Sequence, residues 1–117
     1  MKKTKTKRIH TWDYLKLIGV PDMPARLSPF DPGYDPVTLI SHLEQSAHLI
    51  SCLKISMACW QVADERSTIQ KIKAARRLKI PVCTGGGPFE IAVQFGKLPE
   101  FLDLCAGLGV TRIEAGE

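Results

Sequence analysis

Two stretches of this chain carry groups suited to handling an anion. Cys83-Thr84-Gly85-Gly86-Gly87-Pro88-Phe89-Glu90 lies between an apolar, strand-like run and a helix-like run. Consecutive glycines let backbone approach a ligand closely. A helix start beyond them offers unpaired N–H groups and a positive dipole end, which suits phosphate or carboxylate. The competing reading of the same residues is a tight strand-to-helix turn whose glycines serve local geometry alone.

The second signal is charge inside apparent strands. Lys54 alternates with Leu53 and Ile55, and Glu114 alternates with Ile113 and Ala115. Parallel strands covered on both sides are ordinarily apolar throughout. Polar residues on one face of both strands must therefore meet each other or a ligand, because burying a lone charge costs several kcal/mol. Two outcomes follow: an internal Lys54–Glu114 ion pair, or an anion- or metal-binding site at the sheet's open end. Glu90, three residues after Gly87, is a favourable first-turn carboxylate or a magnesium ligand.

The elements that must position these groups read as successive βα units. Asp35-Pro36 opens a helix to about Leu49, with Asp35 as cap and Pro36 at the first helical position. Leu53 to Met57 reads as a strand, with Lys54, Ser56 and Ala58 opposite Leu53, Ile55 and Met57. Asp64 to Leu78 reads as a second helix, Ile80 to Cys83 as a strand, and Phe89 to Phe95 and Lys97 to Ala106 as helices. Val110 to Ala115 reads as the last strand. Strands recurring at intervals of roughly thirty residues with helices between them specify a parallel sheet with right-handed crossovers. An open doubly wound sheet and part of a (β/α)₈ TIM-type barrel both fit, and both bind ligands at the strands' C-terminal ends.

The N-terminal third reads differently. A short helix covers Trp12 to Leu17, and Val20 to Pro36 carries five prolines, an irregular connector in which Ala25 to Phe30 makes a poor strand. Residues 1–35 are thus expected to be a basic tail and connector, and residues 36–117 the βα domain. The formal charge of +4 includes five positive charges from Lys2, Lys3, Lys5, Lys7 and Arg8, leaving 4 − 5 = −1 for the rest. A basic tail on a near-neutral body does not make a nucleic-acid-binding face. The tail has no apolar segment of a secretory signal, and no apolar run approaches membrane-span length. Cys52, Cys59, Cys83 and Cys105 lack metal or C-x-x-C spacing, which is expected of reduced thiols in a cytoplasmic protein. His42 and His48, six apart on a helix, do not share a face and make no metal pair.

The run from Thr84 to Leu102, Thr-Gly-Gly-Gly-Pro-Phe-Glu-Ile-Ala followed by Val-Gln-Phe-Gly-Lys and an acidic, leucine-rich helix, resembles the phosphosulfolactate synthase family. The strand around Leu53-Lys54-Ile55 looks like that family's lysine-bearing strand, and Gly109 to Glu114 like its Ile-Glu strand. The resemblance covers about residues 36–117. It implies a (β/α)₈-type barrel, of which this chain would form about half, since a full barrel takes roughly 250 residues. It further implies a magnesium-dependent enzyme joining sulfite to phosphoenolpyruvate. On that basis Lys54 and Glu114 are expected to be catalytic. Thr84, Gly85, Gly86 and Gly87 are expected to hold phosphate, and Glu90 and Glu117 to bind Mg2+. Two open sheet edges favour a homo-oligomer. The alternative is a non-catalytic half-barrel that binds a phosphorylated acid or self-associates.

Overall fold

The computed structural model describes residues 8–21 and 26–115, leaving aside the side chains of Met57, Ala58 and Cys59. Four short parallel strands form one sheet in sequence order: β1 (Phe30–Asp31), β2 (Leu53–Ile55), β3 (Val82–Thr84) and β4 (Arg112–Ile113). The helices are α1 (Thr11–Leu17), α2 (Pro36–Ser46), α3 (Met57–Val62), α4 (Glu65–Arg77), α5 (Gly86–Gln94) and α6 (Leu98–Leu108). A parallel sheet that grows strictly in chain order, each strand returning through a helix, is the pattern of half a TIM-type barrel.

Local chemistry starts and stops these helices. The Asp35 carboxylate accepts from the Thr38 amide at 3.1 Å, and Pro36 occupies the first turn of α2. Asp64 caps α4 in the same way, accepting from Ser67 N–H at 3.0 Å. A 3-10 turn, Ala47–Leu49, follows α2, so the expected single helix to Leu49 tightens in its last turn. Gly109 closes α6 with φ +91, a left-handed conformation that suits glycine.

One face of the sheet is covered by helices. Leu53, Ile55, Ile72, Ala75 and Val82 are at most 1 % exposed, and Leu39 and Leu43 of α2 pack with them. Register sets the opposite face: Phe30 pairs with Lys54, Lys54 with Cys83, and Cys83 with Arg112. Side chains alternate across a strand, so these four share the side away from the helices. That side is open, and Phe30 is 53 % exposed there.

Three expectations need correction. The connector expected to be irregular contains β1, which pairs with β2, and Leu27 bridges to Ile50. Strand β2 stops at Ile55 and Met57 begins α3, so the alternation assumed through Ala58 ends three residues earlier. The third correction concerns the glycines. Gly86 and Gly87 are the first residues of α5, with Gly85 at its N-cap, so the helix begins three residues before Phe89.

Candidate functional site

The C-terminal ends of the strands gather most of the expected site. Lys54 leaves β2 on the open face, and its ammonium lies 2.7 Å from a Glu114 carboxylate oxygen just beyond β4. Strand β3 runs between them, with Cys83 in register beside Lys54. Glu114 is held by its backbone, whose N–H donates to the Thr84 carbonyl at 3.3 Å. The pair remains open to solvent, with side chains 33 % and 46 % exposed. The hydrogen bond that Lys54 donates to Glu114 raises the Lys54 pKa against a smaller opposing effect of desolvation, so the ammonium form is secured.

Gly85 sits against this pair. A Cβ built on it would lie 3.5 Å from Lys54 Cε, which places the start of α5 beside the lysine stem. Among the described residues no side chain caps α5, and Pro88 in its first turn has no N–H. The amides of Gly86 and Gly87 are therefore bare helix-start donors next to a cation. Thr84 is placed differently: its side chain is fully buried, on the helix-covered face in register with Ile55. Its Oγ1 has no hydrogen-bond partner among the described residues, and its contribution to the mouth is the carbonyl that receives Glu114 N–H.

Cys83 is a neutral thiol. Burial raises its pKa first, with Cys52 and Glu114 adding to the rise and Lys54 opposing it; the thiol donates to the Thr84 carbonyl at 3.1 Å. Glu90 is exposed on α5, and Glu117 lies outside the described residues. Among the described residues no group of three or more His, Cys, Asp or Glu could hold a metal ion. The carboxylate at the mouth, Glu114, is already engaged with Lys54. Among the described residues, then, the carboxylates at this mouth do not by themselves form a cluster for a metal ion.

Sequence reasoning missed a second ion pair. Asp31, at the end of β1, is fully buried, and Lys71 of α4 reaches it at 2.8 Å. Asp31 also accepts from the Gly33 and Tyr34 amides at 3.0 and 2.9 Å, and Lys71 donates to the Tyr34 carbonyl at 2.8 Å. Burial would raise the Asp31 pKa, but the bonds from Lys71, Gly33 and Tyr34 together hold it below the usual carboxylate range. The available signal was positional: Lys71 falls with Thr68, Ile72 and Ala75 at helical spacing on the buried face of α4.

Residues 28–117 match the model of the (2R)-phospho-3-sulfolactate synthase (ComA) family. The chain belongs to that family. The match includes every strand of the sheet, together with Lys54, Gly85 to Gly87 and Glu114, and it begins at residue 28 so as to take in β1. No individual curated protein matches the chain. Among the described residues no helix is long and apolar enough to cross a membrane.

Proposed function

We propose that the mouth formed by Lys54, Glu114 and the start of α5 receives phosphoenolpyruvate for addition of sulfite, giving (2R)-phospho-3-sulfolactate. The observation that carries this reading is the Lys54–Glu114 pair, 2.7 Å apart and open to solvent, beside the glycine start of α5. The family match supplies the reaction class. Sulfite sulfur forms a bond to the methylene carbon, and the double-bond electrons move toward the carbon bearing carboxylate and phosphate. Charge builds on that carboxylate until the carbon takes a proton supplied by bisulfite or water. A fixed cation stabilises that developing charge. Lys54 is assigned this role, and Glu114 positions its ammonium. The Gly86 and Gly87 amides, with Gly85 leaving room, are assigned to phosphate. A cytoplasmic location belongs to the same proposal.

The test is sulfite-dependent loss of phosphoenolpyruvate, with product identified by mass and with Lys54→Met alongside. Turnover abolished by that change supports the reading; no turnover in the wild-type protein, with magnesium supplied, refutes it. A second reading is favoured by the open face, where Phe30 is 53 % exposed. In it the protein binds a phosphorylated acid without turnover, and a second copy covers the face by setting its β1 against β4 of the first. A mass in solution of one chain and no binding of phosphoenolpyruvate would dispose of it.

A further inference from the structure

At the opposite end of the sheet, where β3 and β4 begin, a recess of about 380 Å³ is lined by Arg76, Lys79, Ile80, Pro81, Thr111 and Arg112. Three of these six are cations and none is an acid. Arg76, Lys79 and Arg112 are exposed, and no described carboxylate pairs with any of them. Three like charges around one recess repel each other, and a multiply charged oxyanion would turn that repulsion into charge-assisted hydrogen bonding.

Two details show that the cations are held there by the fold. Lys79 adopts φ +61, a left-handed conformation uncommon for a side chain without a short polar group, directly after α4. Arg76 lies over the end of α6: a Cβ on Gly109 would be 3.2 Å from Arg76 Nη1 and 3.6 Å from its Cδ. Cations beside helix C-termini complement the dipole, which accounts for Arg76. The same effect accounts for Lys79, directly after α4, but not for Arg112, which opens a strand.

We propose that this recess is a second anion site, taking a phosphate-class oxyanion either free or as the end of a phosphate monoester. It goes beyond the proposed synthase reaction and does not rest on it, because it shares no residue with the Lys54–Glu114 mouth.

The test is amide chemical-shift titration of the protein with inorganic phosphate and, separately, with glycerol phosphate, at fixed ionic strength. Saturable shifts at Lys79, Thr111 and Arg112 are expected, unchanged by Lys54→Met. The tighter of the two ligands identifies the source. The variant R76Q/K79Q/R112Q is expected to bind on the order of tenfold more weakly or worse. Lys79→Gly guards against misfolding as the cause: it should raise the melting temperature by relieving the backbone while weakening phosphate binding. Absence of saturable shifts at millimolar phosphate overturns the site. So does a triple variant that titrates like wild type, or a Lys79→Gly chain that gains stability with phosphate binding intact.

Discussion

Two ion pairs stand near the same ends of one sheet, on its opposite faces. Lys71–Asp31 closes at 2.8 Å with side chains 5 % and 0 % exposed, and Lys54–Glu114 at 2.7 Å with side chains 33 % and 46 % exposed. Their lengths are nearly the same; their surroundings separate them. Helix α4 and the turn after β1 enclose the first pair, and backbone amides and a carbonyl share its charges. The second faces the uncovered side, where water screens it and a ligand can reach it. A closed pair acts on folding, because breaking it strands a charge in low dielectric. An open one contributes little to folding and is available for chemistry.

The largest test of this contrast is Lys71→Met. It leaves the Asp31 carboxylate buried without its ammonium and should cost about 3–5 kcal/mol in denaturant unfolding. A loss below about 1 kcal/mol would erase the distinction between the pairs. Lys54→Met should cost under about 1 kcal/mol of stability. The same change should lower the proposed sulfite-dependent turnover by on the order of 100-fold or more. A stability loss as large as that of Lys71→Met would mean that the open pair is structural.

The pairs should also diverge with pH. Asp31 is held below its ordinary range, so its contribution is complete above about pH 4 and is lost as pH falls through the lowered value. Lys54 is raised, so its smaller contribution is present below about pH 10 and is lost as pH rises through the raised value. Unfolding midpoints measured across pH should show the acid loss shrink in Asp31→Asn and the alkaline loss shrink in Lys54→Met. The reverse assignment would break the comparison. The smallest stability effect is expected from Gly85→Ala. Its φ of −72 suits alanine, and the new Cβ would make an ordinary 3.5 Å contact with Lys54 Cε. Stability should move by less than about 0.5 kcal/mol, while KM for the phosphorylated acid rises if the lysine stem is crowded.

The difference between the pairs also explains what the sequence disclosed. Lys54 and Glu114 stand out because each interrupts an apolar strand at a period of two, and strand order then brings them together. Asp31 offers no such contrast. Its strand is two residues long, flanked by Pro29 and Pro32, and too short to show alternation. Lys71 hides among the charges of α4, and only its place on the Thr68–Ile72–Ala75 face reveals it. Gly86 and Gly87 read as loop because glycine is a weak helix former, yet in the first turn Pro88 favours the helix that tertiary packing completes. Three of the four strands were legible from hydrophobic runs, and β1 was not, because its hydrogen bonds come from β2 and not from its own sequence pattern.

The Asp31–Lys71 bond joins residues 40 positions apart, from the first strand to the second long helix. As the chain leaves the ribosome, the turn after β1 therefore waits for α4 before its carboxylate gains its cation. The first two βα units should consequently open and close as one cooperative block, with amide protons of β2 and α4 exchanging through a common event.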